Sequence, residues 1–363
     1  MLIWISLGFV LSLATISKSK ELSLVILFTI FIIFAFQYNI GGDYLVYKEF
    51  FISSEEQLDL RRIDPGYQFL IKTLSAAGLN YQSIYIVSAI LIGGLLYRSA
   101  ILYEKYLNIP VIYVILLFFS LLYFDYLGVI RQAIAQSIVF YAATWILREK
   151  IVIFILLTCV AALMHISAIL ALILIPILSG KIGKKINYMM LIISLVFLYL
   201  GGVKFLGGIF LEYKIPFYTY FHSAIWMDKA PGVYGQLVAF VLVFVGWALV
   251  YLNKQLQIDK RLVGIFILYV VLRAFLNEMH AGHRVLMLFK PFLILFIAYF
   301  MYNVEEYFIR SQKLLVRFTF VMIIFLHMSM NMFVRLYDDP NFQNIRLNID
   351  FATHDSAYVV DLL

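Results

Sequence analysis

A succession of about eleven long apolar runs decides what this chain can become. They lie at about residues 2–17, 22–37, 83–102, 109–125, 127–147, 151–179, 186–203, 233–252, 262–279, 284–302 and 314–333. Roughly 20 consecutive apolar residues carry a helix across the hydrocarbon of a bilayer, and a helix satisfies its backbone polar groups within one continuous run. A membrane barrel would instead show short segments of alternating hydrophobicity. The chain therefore reads as an all-α, polytopic integral membrane bundle. Composition agrees: 64% of residues are hydrophobic and 13% charged, where a soluble domain carries about 25% charged residues. The net charge of +7 does not point to nucleic acid, because the basic residues fall in short segments between the runs. The single cysteine, Cys159, excludes an internal disulfide and a cysteine metal cluster. The opening "MLIWISLGFV" lacks the basic region and cleavage site of a signal peptide and reads as the first span. No internal repeat or soluble domain is visible.

The sixth run is too long for one crossing. As a helix, 151–179 would extend about 43 Å, against about 30 Å of hydrocarbon. Charge resolves the anomaly, since Lys and Arg collect on the cytoplasmic side. The segments "SKSKE", "YEKYLN", "REK", "KQLQIDKR" and "IRSQK" are short and basic and belong inside. A single crossing after "REK" would place "GKIGKK" (180–185) outside and give every later segment the wrong sign. A run that goes out and returns, turning near His165, puts every basic segment inside. The expectation is thus 11–12 transmembrane segments, a short re-entrant-like hairpin turning near His165, and both termini external. Residues 1–333 form one membrane domain with external loops at 38–82 and 204–232, and 334–363 form an external tail.

Unusual polar groups gather at the outer level of this layout. His165 stands alone in "AALMHISAIL". An ionisable group within a span is a functional candidate by default, and a turn at that depth leaves backbone groups unpaired unless they line a cavity or meet protein. The plainer reading is a histidine that pins the hairpin, with Ser167 serving the same turn. "FDYLGVIRQAIAQ" (124–136) supplies Asp125, then Arg131 and Gln132 about one turn inside the run. "RAFLNEMHAGHRVLMLFKP" (273–291) places Arg273 about 9 Å below the outer end of its helix. Glu278, His280, His283 and Arg284 occupy the turn, and Lys290 follows about two turns down. Arg and Lys near helix ends can snorkel to the interface; that reading fits Lys290 best. In the first external loop, "IGGD" reads as a tight turn presenting Asp43. Asp43, Tyr44 and Tyr47 then share one face of a following helix. "DPGYQFLIKTL" reads as an amphipathic helix lying in the interface. The aromatic stretch "FLEYKIPFYTYFHSAIW" suits an interfacial belt or a groove for a lipid chain or sugar faces.

Taken in order, "GGDYLVYKEFF", "DPGYQFLIKTL", "RQAIAQSIVFYAATWILREK", "LMHISAIL" and "HRVLMLFKP" resemble landmarks of the EpsG/Wzy-like bacterial polysaccharide polymerases. The resemblance runs from about residue 38 to 295. Gly42 stands where a threonine is common, and Asp64 where glutamate is common before Pro-Gly. The resemblance implies a multi-pass inner-membrane glycosyltransferase working on the external side. Its donor and acceptor would be undecaprenyl-pyrophosphate-linked oligosaccharide repeat units, with membrane lipids and a chain-length regulator protein as further partners. The growing glycan would pass from its lipid carrier to a sugar hydroxyl of the next unit. Arginine forks match phosphate oxygens and stay charged when partly desolvated, so Arg131 and Arg284 are the expected pyrophosphate clamps and Arg273 and Lys290 auxiliary cations. His165 is a base or an acceptor positioner, and Glu278 and Asp43 are alternative bases. Gln132, Tyr44, Tyr47, His280 and His283 complete the expected substrate contacts. No paired-Asp motif stands at the outer level, so a metal-independent transferase without a cofactor is expected. An O-antigen ligase differs only in the acceptor. A lipid-linked sugar flippase would more often show an internal repeat and gate residues at both faces.

Overall fold

The computed structural model describes residues 2–17, 19–38, 43–52, 64–201, 212, 233–277, 282–307, 310–338, 346–348 and 359–361. It is predominantly helical. The chain opens with α1 (Leu2–Ser17) and α2 (Lys20–Ala35), separated at Ser19, whose hydroxyl accepts from the Leu22 amide and caps α2. After a two-residue strand, β1 (Gln37–Tyr38), come α3 (Tyr44–Ile52) and α4 (Pro65–Ala76). The long α5 (Gln82–Leu107) ends at Asn108, which adopts the left-handed conformation just before Pro110. Next are α6 (Val111–Leu121), α7 (Tyr123–Gly128), α8 (Ile130–Ile146) and α9 (Ile151–Met164). A 3₁₀ segment (Ile166–Ile173), α10 (Leu174–Leu178) and α11 (Lys184–Leu200) follow. The remainder is α12 (Val233–Leu256), α13 (Lys260–Phe275), α14 (Gly282–Tyr307), α15 (Arg310–Asp338), β2 (Arg346–Asn348) and β3 (Val359–Asp361).

Two compact units emerge: Met1–Leu170 with Ile297–Leu363, and Ala171–Phe296. In the first, α5 packs against α2 and α8, and α8 against α9. Helix α6 is buried on every side from Val111 to Ser120, as expected of a helix apolar all round. Four alanines of α8 (Ala133, Ala135, Ala142, Ala143) are buried; small side chains let membrane helices approach closely. In the second unit, α11, α12 and α13 pack against one another. Three of the described helices are long and apolar enough to cross a membrane: Gln82–Leu107, Gln236–Asn253 and Arg284–Glu306. Shorter apolar helices cover Glu21–Ala35, Val111–Leu121, Ile151–Met164 and Ile166–Leu178.

Several helices differ from the runs read in the sequence. The run at 109–125 is broken at Leu122 (φ −127°), where Tyr123 turns to donate its hydroxyl to the Ile30 carbonyl at 3.0 Å. A second break at Val129 (φ −135°, ψ 57°) starts α8 at Ile130. Arg131 and Gln132 thus sit in the first turn of their helix and not a turn inside it. Helix α13 ends at Phe275, so Arg273 lies in its last turn and not 9 Å below its end. The 151–179 run is not one helix: α9 stops at Met164, and His165 is extended (φ −160°, ψ 118°). The helical fold class holds, and beside the helices β1, β2 and β3 form a small antiparallel sheet in that order, with Gln37 opposite Leu347 and Arg346 opposite Asp361. Strands of two and three residues are too short to show a period-2 pattern. The last helix runs on to Asp338, past residue 333.

Glu305, read as part of a cytoplasmic segment, is only 1% exposed. Its carboxylate accepts from the Tyr113 hydroxyl at 2.5 Å and from Arg317 Nε at 3.1 Å, and Arg317 Nη2 pairs with the other oxygen. Arg317 Nη1 also reaches the Ile16 carbonyl at 2.5 Å. One buried ion pair thus joins α1, α6, α14 and α15. Removing one partner of such a pair strands the other charge, at a cost of about 3–5 kcal/mol. Glu305→Ala is therefore expected to lower the unfolding temperature of the detergent-purified protein markedly, and Glu305→Gln less so. An unchanged unfolding curve for Glu305→Ala would show that the pair is not structural.

Candidate functional site

The tetrapeptide Asp64-Pro65-Gly66-Tyr67 organises a polar cluster in the first unit. Asp64 precedes α4 in an extended conformation (φ −62°, ψ 139°), the geometry of a helix cap, yet its side chain does not cap α4. Its backbone carbonyl instead accepts from the Tyr67 and Gln68 amides. Pro65, at the first helical position, has no N–H to satisfy. The Asp64 carboxylate therefore points elsewhere. Oδ2 pairs with Arg131 Nη1 at 3.1 Å, and Oδ1 accepts from the Ile166 amide at 3.2 Å. One carboxylate ties the start of α4, the start of α8 and the end of α9. Gly66 lets these elements meet: a Cβ there would lie 2.9 Å from the Leu163 carbonyl carbon and oxygen. No side chain fits without moving α4 off α9.

Aromatic rings close the cluster. Tyr44, Tyr47 and Phe51 form the buried face of α3, the spacing expected of one helical stripe. The Tyr44 ring stacks on Tyr85 with centroids 5.0 Å apart, and the Tyr85 hydroxyl donates to the Tyr44 carbonyl at 3.3 Å. Tyr47 packs on Tyr67 with centroids 5.6 Å apart, and the Arg131 guanidinium lies 5.9 Å from the centre of the Tyr67 ring. Asp43 stands directly before α3, its carbonyl accepting from the Tyr47 amide at 3.0 Å. Burial pushes the Tyr47 hydroxyl up to about 12; the Asp43 charge adds to that rise and Arg131 offsets part of it. Burial also raises Tyr67 well above the usual phenol range, with Tyr47 contributing, Arg131 opposing and Asp43 adding. Both phenols are protonated donors at neutral pH, and both lie within the electrostatic reach of Asp43 and Arg131.

The cluster holds unmet hydrogen-bonding capacity. Among the described residues, the Tyr67 hydroxyl and Arg131 Nε are buried without a hydrogen-bond partner. Leaving such a group unsatisfied costs about 1–3 kcal/mol, and the exceptions in native structures call for an explanation such as a functional role. Gln132 is buried, and both amide atoms of Gln136, one turn further along α8, are buried without a described partner. The N-terminus of α8 adds its positive dipole end, which favours an anion.

His165 sits where the backbone leaves α9. Its amide still donates to the Ala161 carbonyl at 3.0 Å, while its own carbonyl accepts from the Ala168 amide. Nδ1 lies 2.7 Å from Ser167 Oγ and accepts from the Ser167 amide at 3.3 Å. A backbone N–H can only donate, so the Nδ1 lone pair is engaged and the neutral ring carries its proton on Nε2. The second nitrogen thus carries the ring N–H and not a lone pair.

The candidates read in 273–291 belong to the second unit or fall outside the described residues. Arg273 is half-buried in the last turn of α13, Arg284 exposed in the first turn of α14, and Lys290 half-buried two turns along that helix. Leu276 and Leu286, flanked by Tyr269, Leu272, Phe275 and Val285, pack the facing ends of α13 and α14. Glu278 and His280 lie outside the described residues, as does the side chain of His283. The structure brings together Asp43, Tyr44, Tyr47, Arg131, Gln132 and His165, and adds Asp64, Gly66 and Tyr67. Asp64 carried a sequence signal, but an Asp before Pro at a helix start is fully accounted for as a cap, which hides its longer reach.

A protein-family model described as "EpsG family" matches residues 21–347. No curated protein matches the chain, and neither does any solved structure.

Proposed function

The chain belongs to the EpsG family, which carries a polysaccharide polymerase-type role, and from that premise we propose that it extends a glycan held on undecaprenyl pyrophosphate at the outer face of the inner membrane. In the reaction, the bond between the anomeric carbon of the growing glycan and the pyrophosphate oxygen breaks. A bond forms from that carbon to a sugar hydroxyl of the next lipid-linked repeat unit. The electron pair leaves with the lipid pyrophosphate, and the hydroxyl proton passes to a carboxylate. Arg131 holds the leaving pyrophosphate, where a preplaced cation stabilises the charge that develops. Asp43 is the carboxylate that takes the proton, and His165 donates from Nε2 to position a reacting oxygen. The Tyr47 and Tyr67 hydroxyls supply further donors.

The observation that carries this reading is the Asp64 carboxylate, which holds both Arg131 and the amide next to His165. A fork fixed on one side presents its remaining N–H groups in a set direction, at little entropic cost on binding. The topology that accompanies the reading places Asp43, Arg131 and His165 outside and the basic segments inside. The end of α9 at His165 supports a sixth run that goes out and returns.

Purified protein given one lipid-linked repeat unit is expected to form a ladder of products differing by one unit. A single product on a different acceptor would make it a ligase. Substrate carried across proteoliposomes without any new glycosidic bond would make it a transporter.

A further inference from the structure

We infer that the groove between α2 and α5 seats the isoprenoid chain of the lipid-linked substrate; the inference rests on the polymerase reading above. The groove encloses about 420 Å³, within the range of about 300–1,000 Å³ typical of ligand sites. Its lining is apolar throughout and includes Phe28, Phe31, Ile90 and Tyr97. Phe28 and Ile90 are about two-thirds exposed, so the groove opens laterally along a helix long and apolar enough to cross a membrane.

Two adjacent glycines on α5 shape it. A Cβ on Gly93 would meet the Phe31 ring at 2.9 Å, so this glycine lets α2 close against α5. Gly94 also lines the groove, but a Cβ there would meet nothing within 4 Å. The second glycine thus leaves a notch that no neighbouring side chain fills. A polyisoprenoid carries a methyl branch on every fourth chain carbon and is wider than a straight acyl chain. A notched, aromatic-lined groove accommodates such branches.

Continuity with the polar cluster decides which ligand. One end of the groove is formed by Ala35, Phe36 and Ile86. The Ala35 carbonyl accepts from Gln82 Nε2 at 2.6 Å, which fixes the end of α2 on the start of α5. Tyr85, next to Ile86, stacks on Tyr44 and binds its carbonyl, and Tyr44 begins the helix that carries Tyr47 beside Tyr67 and Arg131. From Ile86 the groove follows α5 to Tyr97, about 16 Å at 1.5 Å per residue. The groove therefore opens beside the tyrosines that lead to Arg131, and a long polyisoprenoid whose pyrophosphate is held at Arg131 would run along α5 toward Gly94.

Binding to the detergent-purified full chain tests this, with undecaprenyl pyrophosphate and geranyl pyrophosphate as probes. Gly94→Leu fills the notch without striking a neighbour. It is expected to weaken undecaprenyl pyrophosphate by about tenfold, the equivalent of about two lost methylene contacts. It should leave geranyl pyrophosphate, which stops short of Gly94, within about twofold. Arg131→Lys should weaken both alike. A diazirine-bearing undecaprenyl pyrophosphate on the wild-type protein should crosslink to residues 24–36 and 86–97. Equal weakening of both probes by Gly94→Leu, no weakening of either, or crosslinks confined to other helices would overturn the groove. Groove binding that depends on Gly94, with no product ladder from the wild type, would sustain the groove and overturn the polymerase reading.

Discussion

Arg131→Lys is expected to slow chain extension by about 10²–10³-fold in protein that inserts and purifies normally. Lysine keeps the positive charge but loses the planar fork. In the structure one arm of that fork is occupied by Asp64 at 3.1 Å, the face lies over Tyr67, and Nε is buried without a described partner. An ammonium cannot hold a carboxylate on one side and present fixed donors on the other. Losing one preplaced donor at a developing charge costs about that range in rate. Asp64→Asn removes the carboxylate's charge but keeps an acceptor for the Ile166 amide, so it should slow extension by a smaller factor, about tenfold. The two changes act on one contact and should not add: the double variant should be no slower than Arg131→Lys alone. Near-normal turnover in Arg131→Lys would reduce Arg131 to a snorkelling side chain and remove it from the mechanism.

His165 separates a hydrogen-bond donor from a base. The Ser167 amide occupies Nδ1, so the ring proton sits on Nε2. His165→Phe keeps the ring and removes the donor; it should lose about 10² in kcat. His165→Gln retains an N–H donor of similar size and should stay within about tenfold of wild type. Asp43→Asn, which removes the proposed proton acceptor, should lose at least about 10². If glutamine and phenylalanine at 165 are equally inactive in monodisperse preparations, the imidazole itself exchanges the proton. If both are active, His165 only shapes the exit from α9.

What local pattern can report was present in the sequence. The lengths of the apolar runs implied membrane helices. The excess length of 151–179, with its lone histidine, marked the place where α9 ends. Spacing alone placed Tyr44 and Tyr47 on one face of α3. Four of the five motifs that carried the resemblance supply segments that meet: "DYLVY", "DPGY", "RQ" and "HIS" each contribute to the cluster around Arg131, whereas "HRVLMLFKP" belongs to the second unit. The partners within that cluster were not legible. Asp64 reaches Arg131 across 67 positions and Ile166 across 102, and nothing in its own neighbourhood distinguishes it from an ordinary cap.

The same division holds away from the site. Hydropathy could not report the burial of Glu305, because its partner Tyr113 lies 192 positions away, nor the breaks at Leu122 and Val129, which follow from where Tyr123 and the start of α8 must pack. The sequence by itself determined the helical class of fold and the membrane setting, since both depend on composition and on periodicity within a few turns, and its short motifs carried the resemblance to the family and marked the chemically loaded segments. Only the tertiary structure decided which carboxylate holds the arginine, which histidine nitrogen carries the proton, and that Gly94 opens onto a groove. Those outcomes depend on side chains from distant segments arriving at hydrogen-bond or van der Waals distance, which close packing enforces and local sequence does not encode.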